Sequence, residues 1–143
     1  YQLIEAKSVG ADCILLIAAA LPEKRCKELA GFAKKLGLDV LLEAHNKEEI
    51  DSHLSEAVDI VGINNRNLHD FTTSIDTSIA LAEHIPDKFV KISESGITQA
   101  EHIAKLKKYG FKGFLIGTHF MSHTQPDQAC AKLISEVKRL ERL

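Results

Sequence analysis

Residues 35–45 read KLGLDVLLEAH, and this stretch contains a helix end, a turn and a complete strand. Gly37 stands where a helix should end, because glycine favours the left-handed conformation just past a helix C-terminus. The apolar run Val40–Leu42 is continuous rather than alternating, which is typical of a parallel strand covered on both faces. Glu43 then places a carboxylate at the carboxyl end of the predicted strand.

The same unit recurs along the chain. Four further continuous apolar runs are present: Cys13–Ile17, Ile60–Ile63, Phe89–Ile92 and Phe114–Ile116. Gly10 and Gly110 each precede such a run, as Gly37 does. Between the runs, apolar residues at three-and-four spacing predict amphipathic helices.

Helix starts are also marked in the sequence. Asn46–Glu49 and Thr98–Glu101 each match the capping box that opens a helix, and Pro22 fits a first helical turn. The pattern predicts an α/β protein with five parallel strand–helix units and one preceding helix. Such repeats build either a doubly wound sheet or a (β/α)8 barrel. A barrel needs eight units and typically about 250 residues, so five units do not close one.

The first residues bear on domain organisation. Leu3, Ile4, Ala6 and Lys7 have the pattern of the tail of an amphipathic helix, and no initiator methionine precedes them. We therefore interpret residues 1–143 as part of one larger domain.

Composition excludes several functional classes. The formal net charge is −2, so a basic surface for nucleic acid is not expected. The longest apolar run, Cys13–Leu21, is shorter than the roughly 20 residues that span a bilayer. With no basic segment ahead of an apolar core, the sequence predicts a cytoplasmic protein without membrane contact. Three cysteines without a C-x-x-C pair are interpreted as packed or surface thiols. His119 and His123 lack a third ligand at recognisable spacing, so no metal site is expected. His53, His84 and His102 lie in predicted helices and are expected to be exposed.

Carboxylates and amides follow three of the predicted strands. Glu43, Asn64 and Glu94 stand at or just after strand ends, where the working residues of parallel α/β folds lie. A carboxylate near apolar walls can act in acid–base catalysis, and Arg66 can bind a substrate carboxylate. The alternative interpretation of Glu43 and Glu94 is that they are solvated or lysine-paired carboxylates. Asn65 and Asn67 are expected to hold their loop through hydrogen bonds between side chain and backbone.

The last two strand ends favour phosphate. Ser95-Gly96 and Gly117-Thr118 each offer a hydroxyl and unobstructed backbone N–H groups, and a short helix is expected to start after Gly117. Backbone donors and a helix N-terminus bind phosphate dianions. The alternative is that both glycines only relieve tight turns. Because they occur at paired strand ends, we predict phosphate binding.

Taken in order, the strand-end segments resemble one family, the indole-3-glycerol-phosphate synthases. The segments are Ala11–Ile17, Leu42–His45, Gly62–Leu68, Ser93–Ile97 and Leu115–Thr118. Gly62–Leu68, which reads GINNRNL, is the most specific of them. The resemblance covers essentially the whole chain. It implies that the five strands correspond to strands 4–8 of a (β/α)8 barrel, that the first three strands are absent, and that residues 1–143 are the C-terminal portion of that domain.

The resemblance also implies a reaction. The family acts in tryptophan biosynthesis and closes the indole ring of 1-(2-carboxyphenylamino)-1-deoxyribulose 5-phosphate, a phosphorylated small molecule, with release of carbon dioxide and water and without metal or organic cofactor. Glu43 matches its acid–base glutamate, Asn64 an asparagine that orients the substrate, and Glu94 a further active-site glutamate.

Binding residues carry over in the same way. Arg66 matches the arginine beside the strand-6 asparagine, and Leu15 matches a residue of the aromatic pocket. The residues that match the phosphate cradle are Ser95, Gly96, Gly117 and Thr118. Thr118 departs from the more common serine but keeps the hydroxyl.

One part of the family pattern has no match in these 143 residues. The lysines of the family's first and third strands, one of which acts as the general acid, have no counterpart. We therefore expect no turnover from the 143-residue chain by itself. The open alternatives are another phosphate-binding barrel, similar to phosphoribosylanthranilate isomerase or the tryptophan synthase α-subunit, and a noncatalytic phosphate-binding half-barrel that self-associates through exposed sheet edges.

Overall fold

The computed structural model describes residues 1–68 and 70–142 and shows helices alternating with parallel strands. In chain order the elements are α1 Gln2–Ser8, β1 Cys13–Ile17, α2 Glu23–Lys35, β2 Asp39–Ala44, α3 Lys47–His53, β3 Ile60–Asn64, α4 Asp76–Leu81, β4 Val90–Glu94, α5 Ala100–Lys107, β5 Phe111–Leu115, α6 Thr118–Met121 and α7 Pro126–Leu140. Short 3-10 helices cover Ala18–Ala20 and Ala82–His84.

The strands form one parallel sheet in the order β1-β2-β3-β4-β5. The predicted α/β class and the five strand–helix units with a preceding helix are confirmed. Sequential order in a parallel sheet is the arrangement of a (β/α)8 barrel and not of a doubly wound sheet, which reverses direction at a switch point. The structure therefore has the form of a partial barrel, with β1 and β5 as the two edges of the sheet.

Two strands are displaced along the chain from their predicted runs, whereas β2 and β3 contain theirs and extend beyond them. The fourth strand is Val90–Glu94 rather than Phe89–Ile92, and the fifth is Phe111–Leu115 rather than Phe114–Ile116. Hydrophobicity locates the buried part of a strand, whereas the ladder is made by backbone groups and continues into polar residues. On β5 the register also shifts, because Lys112 is an extra residue between the partners of Lys91 and Ile92.

The core lies between the sheet and its helices. Strand residues on the helix-facing side of the sheet are almost fully buried, namely Leu16, Val40, Leu42, Val61 and Ile63. On the opposite, concave face, Leu15 and Leu115 are each 49% exposed. The concave face therefore carries apolar surface at both sheet edges, and polar side chains at the carboxyl ends of the middle strands.

The predicted turns are largely confirmed. Gly10, Gly37 and Gly110 have φ angles of 90°, 70° and 89°, in the left-handed region expected just past a helix end. The capping box of α3 forms, since the Asn46 side chain accepts from the Glu49 N–H at 2.8 Å. The second predicted box is wrong: Gln99 is the N-cap of α5 and makes no side-chain capping bond.

Two further local expectations need correction. Pro22 is the N-cap of α2 rather than part of its first turn. The sequence also suggested that His53 lies on an exposed helix face, but His53 is buried and its Nε2 lies 2.9 Å from the Leu21 carbonyl oxygen. The ring thus satisfies a carbonyl in the loop before α2, a contact that the pattern of α3 alone does not reveal.

None of the helices in the described part of the chain is long and apolar enough to cross a membrane. The cysteine interpretation is confirmed: Cys13 is exposed, Cys26 is buried and Cys130 is intermediate, and all three are free thiols.

Candidate active site

Parallel pairing brings the strand-end side chains together. Glu43 of β2 pairs in register with Gly62 of β3, and Asn64 of β3 pairs with Glu94 of β4. Alternate residues of a strand share a face, so Glu43 and Asn64 both project from the concave side. The Asn64 amide donates to Glu43 Oε1 at 3.1 Å. The predicted catalytic residues Glu43, Asn64 and Glu94 therefore lie side by side.

Gly62 makes room for the second carboxylate. A Cβ atom built at this position would overlap Glu94 Oε1 and would lie 3.1 Å from Leu41 Cδ1. The Glu94 carboxylate thus occupies the space above the β3 backbone that any other residue would fill. A glycine inside a strand often marks such a close approach.

The two carboxylates are buried against each other. Glu43 is 8% exposed and Glu94 is 7% exposed, and Glu94 Oε1 has no hydrogen-bond partner within the described residues. The pKa of Glu94 is raised to about 7, chiefly because burial disfavours the charged form, and further by the charge of Glu43 and a hydrogen bond with it. Near neutral pH Glu94 is therefore only partly ionised.

This pKa has a consequence for stability. The ordinary glutamate value is 4.5, so the folded chain binds the Glu94 proton more tightly than the unfolded chain does. That contribution is complete below pH 4.5 and is lost as the pH rises through about 7. We expect the free energy of unfolding to fall by roughly 1–3 kcal/mol between pH 5 and pH 8 because of this group.

Chemical denaturation at the two pH values measures the effect. In Glu94→Gln the side chain no longer titrates, so most of the difference between pH 5 and pH 8 should vanish. The matched control is Glu83→Gln, which removes a carboxylate that is 81% exposed and should leave the difference unchanged. An equal pH dependence in wild type and Glu94→Gln would contradict the raised pKa.

A second prediction concerns Gly62. In Gly62→Ala the new methyl group displaces the flexible Glu94 carboxylate towards water, so the pKa of Glu94 should return towards its ordinary value and the pH dependence should disappear. Gly113→Ala is the control, because its Cβ would press on Ile92 Cγ2 at 2.8 Å and not on a carboxylate. We expect Gly113→Ala to lower stability at both pH values equally. Retention of the pH dependence in Gly62→Ala would contradict this account.

The predicted phosphate residues line one cavity. Its volume is about 620 Å³, and its lining includes Arg66, Glu94, Ser95, Gly96, Gly117 and Thr118. Gly117 is the N-cap of the four-residue helix α6, as expected from the sequence. A Cβ built at Gly117 meets no atom within 4 Å, so the space in front of this residue is open.

The Ser95-Gly96 turn has an unusual backbone. Ser95 and Gly96 have φ angles of 68° and 71°, and only glycine adopts such values at little cost. Two contacts stabilise the turn: the Ser95 N–H donates to the Leu115 carbonyl at 3.3 Å, and the Asn65 amide donates to the Ser95 carbonyl at 3.0 Å. A strained backbone that its surroundings hold in place is a common feature of functional sites.

Arg66 and Leu15 differ in their placement. Arg66 lines the cavity of the phosphate residues and also a neighbouring cavity of about 470 Å³ that contains His45 and Glu49. Leu15 lies elsewhere, in an apolar cavity lined by residues of α1, β1 and α2. The structure therefore brings eight of the nine predicted site residues together and leaves Leu15 apart from them.

The described residues were also compared with the side-chain groups that hold metal ions. Over residues 1–68 and 70–142, no three His, Cys, Asp or Glu side chains are grouped so that they could hold a metal ion. The rings of His119 and His123 contact each other edge to face, with centroids 5.1 Å apart.

Residues 1–133 match the family model described as indole-3-glycerol phosphate synthase. The chain belongs to this family. Similar curated proteins are the indole-3-glycerol phosphate synthases of Bacteroides thetaiotaomicron, 46% identical over 96% of this chain, and of Chromobacterium violaceum, 43% identical over 93%. These alignments cover 53% and 50% of the two relatives. The chain thus spans about half the length of the curated relatives it matches.

Solved structures agree on the fold. The 3-hexulose-6-phosphate synthase of Salmonella typhimurium superposes with a TM-score of 0.77 at 14% identity, over 96% of this chain and 67% of that one. A mutant tryptophan synthase α-subunit of Pyrococcus furiosus superposes with a TM-score of 0.70 at 23% identity, over 95% and 58%. At these identities the likeness supports the partial-barrel fold and carries no assignment of activity.

The sequence did not reveal how two residues, Gly62 and Asn65, contribute to the candidate site. Gly62 was given no structural role of its own, although a glycine inside a strand was a usable signal. Asn65 was expected to hold its loop, but the structure shows more than that. Its side chain is 2% exposed and joins Ser78, Ser93 and the Ser95 carbonyl.

Proposed function

We propose that this chain provides the carboxylate-bearing and phosphate-binding side of an indole-3-glycerol-phosphate synthase. The reaction is the decarboxylating ring closure of 1-(2-carboxyphenylamino)-1-deoxyribulose 5-phosphate. The observation that carries the proposal is the buried Glu43–Glu94 pair at neighbouring strand ends, opening towards the cavity of Ser95 and Gly117, in a chain that matches the family model over residues 1–133.

Acid–base roles follow from the electrostatics of the pair. Glu94, with a pKa of about 7, is partly protonated near neutral pH, and the neighbouring Glu43 accepts a hydrogen bond from the Asn64 amide. Two neighbouring carboxyls in different environments can serve as an acid and a base at one pH. We assign Glu43 as the base for protons lost during ring closure and dehydration, and Asn64 as the residue that orients the substrate beside it.

Substrate placement follows from the cavity of about 620 Å³. The backbone N–H groups and hydroxyls of Ser95, Gly96, Gly117 and Thr118 are assigned to the substrate phosphate. Arg66 lines the same cavity, and its guanidinium suits the substrate carboxylate. We assign Leu15 to the pocket for the aromatic ring of the substrate. This assignment requires that the bound substrate extend across the concave face towards β1.

The domain assignment belongs to the same proposal. We infer that residues 1–143 form the C-terminal portion of a single (β/α)8 barrel, with β1 to β5 as barrel strands 4–8, in a cytoplasmic enzyme without nucleic-acid or membrane partners. The general-acid lysine would come from the other part of the barrel. Self-association through the edges of β1 and β5 is the expected behaviour of the chain when those edges are bare.

The test is an activity assay on the complete product of the gene that encodes these residues, hereafter the gene product. Conversion of the carboxyphenylamino-deoxyribulose phosphate to indole-3-glycerol phosphate supports the proposal. A folded gene product without this activity contradicts it. The 143-residue chain assayed alone is expected to be inactive, and measurable turnover would refute the requirement for the lysines.

Phosphate binding gives a prediction that needs no turnover. Inorganic phosphate at ten times its dissociation constant should stabilise the gene product by about 1.4 kcal/mol, seen as a higher melting temperature. Gly117→Ala should abolish the shift, because its methyl group enters the open space in front of the α6 N-terminus. The control is Gly31→Ala in α2, where a Cβ also meets no atom within 4 Å. A phosphate shift retained in Gly117→Ala would place the phosphate elsewhere.

A further inference from the structure

Thr73 lies in the loop between β3 and α4, and the fold returns this part of the loop to the carboxyl ends of the strands. Thr73 pairs with Arg66 in an isolated antiparallel bridge. The next residue is held in a similar way, because the Ser74 N–H donates to the Asn65 carbonyl at 3.3 Å. These contacts fix Thr73 beside the residues that directly follow β3.

The Thr73 side chain lies against the Ser95-Gly96 turn. A Cβ built at Gly96 would be 3.1 Å from Thr73 Cβ and 3.4 Å from Thr73 Oγ1. Gly96 therefore leaves room for this threonine, in addition to having a φ angle of 71° that other residues rarely adopt. The proposed function assigns the backbone N–H groups of this turn to the substrate phosphate. The Thr73 hydroxyl is thus next to those donors.

The hydroxyl is also available to a ligand. Thr73 is exposed and lines the cavity of about 620 Å³ together with Ser95, Gly96 and Gly117. Within residues 1–68 and 70–142 its hydroxyl makes no hydrogen bond. A threonine hydroxyl can donate a hydrogen bond, and such bonds are stronger when the acceptor is ionised, as a phosphate oxygen is.

We propose that Thr73 is a further binding residue of this site and that its hydroxyl donates to the same phosphate group as the Ser95-Gly96 turn. This inference rests on the proposed function, in which that turn binds the substrate phosphate. Phosphate is favoured over the other polar groups of the substrate because Thr73 lies against Gly96. The loop after β3 then contacts both anionic groups of the substrate, the carboxylate through Arg66 and the phosphate through Thr73.

Phosphate affinity tests the contact without turnover. Calorimetric titration of the gene product with inorganic phosphate should show roughly tenfold weaker binding in Thr73→Val, because valine keeps the branched shape and loses one hydrogen bond to a charged group. Thr73→Ser keeps the hydroxyl and should bind phosphate about as tightly as the wild type. Equal affinity of the wild type and Thr73→Val would overturn the inference.

The matched control is Thr72→Val. Thr72 is the exposed neighbour whose hydroxyl donates to Asp70 Oδ1 at 2.7 Å, and it does not line the cavity. Its replacement loosens the same loop without removing a hydroxyl from the cavity, so phosphate affinity should be unchanged. An equal loss in Thr72→Val and Thr73→Val would assign the effect to the order of the loop and overturn the inference. A purely structural role of Thr73 would lower the melting temperature without changing phosphate affinity, which would also refute it.

Activity separates this inference from the proposed function. In an active gene product, Thr73→Val should raise KM by about the factor by which it weakens phosphate binding, with kcat changed less. A raised KM with unchanged phosphate affinity would assign Thr73 to another part of the substrate and overturn the phosphate contact. If the wild-type gene product binds phosphate but shows no synthase activity, the proposed function fails, whereas the calorimetric titrations still decide the role of Thr73.

Discussion

Replacing Glu43 by glutamine is expected to lower kcat of the gene product by roughly 10²–10⁴-fold, the usual contribution of a positioned acid–base group. Glutamine preserves the size of the side chain. It also keeps one oxygen that can accept the hydrogen bond from the Asn64 amide, which Glu43 Oε1 accepts at 3.1 Å. It cannot take up a proton, so the loss should appear in kcat far more than in KM. Steady-state kinetics at neutral pH measure both.

The matched control for Glu43→Gln is Glu48→Gln. Glu48 is an exposed carboxylate in the first turn of α3, close in sequence but outside the candidate site. We expect it to leave kcat unchanged. If kcat of a folded Glu43→Gln variant falls by less than tenfold, Glu43 is not the proton-transfer group, and Glu94 becomes the candidate for that role.

Replacing Asn65 by alanine is expected to destabilise the fold by about 3 kcal/mol, a large effect for a single substitution. The Asn65 amide donates to Ser93 Oγ at 2.9 Å and to the Ser95 carbonyl at 3.0 Å. Its carbonyl oxygen accepts from the Ser78 N–H at 3.1 Å and from the Ser78 hydroxyl at 2.8 Å. Alanine removes all four hydrogen bonds at once. Because Ser78 and Ser93 are fully buried, water cannot replace the lost partner.

Chemical denaturation of Asn65→Ala beside Gln128→Ala tests this effect. Gln128 is an exposed amide in α7, and its replacement should cost less than about 1 kcal/mol. A double-mutant cycle of Asn65→Ala with Ser78→Ala should be clearly less than additive, since both changes break the same bonds. Additive losses would mean that the buried network does not act as a unit.

The Asn65 network also connects stability with the candidate site. Asn65 follows β3 directly, its backbone N–H donates to the Glu94 carbonyl at 2.8 Å, and its side chain holds the Ser95 carbonyl. The Ser95-Gly96 turn is therefore fixed to the strand that carries Asn64. We expect any loss of this network to weaken phosphate binding as well as the fold.

Several features followed from the sequence because their causes are local. The left-handed turns at Gly10, Gly37 and Gly110 depend on the missing Cβ, and the α3 cap depends on residues three apart. Strand–helix alternation follows from hydrophobic periodicity. The strand-end positions of Glu43, Asn64 and Glu94 follow from it in turn, because residues that end buried runs lie at the edge of a parallel sheet.

The carboxylate pair, in contrast, was decided by the tertiary structure. The sequence placed Glu43 and Glu94 at strand ends and left open whether they were solvated. Burial of both, and the pKa of about 7 for Glu94, require that β3 lie between their strands and carry Gly62 rather than a side chain. Strand order and lateral register join residues about 50 positions apart, and no local pattern encodes them.

The same reason accounts for the corrections. Local periodicity suggested that His53 was exposed, yet it meets the Leu21 carbonyl across the loop before α2. A capping-box pattern at Thr98–Glu101 did not produce a cap, because α5 begins at Ala100 with Gln99 as its N-cap, one residue after the predicted cap Thr98. The sequence by itself therefore determined which residues stand at the carboxyl ends of the strands. The tertiary structure decided which of them are buried and which touch, and burial beside a second carboxylate is what raises the pKa of Glu94 to about 7.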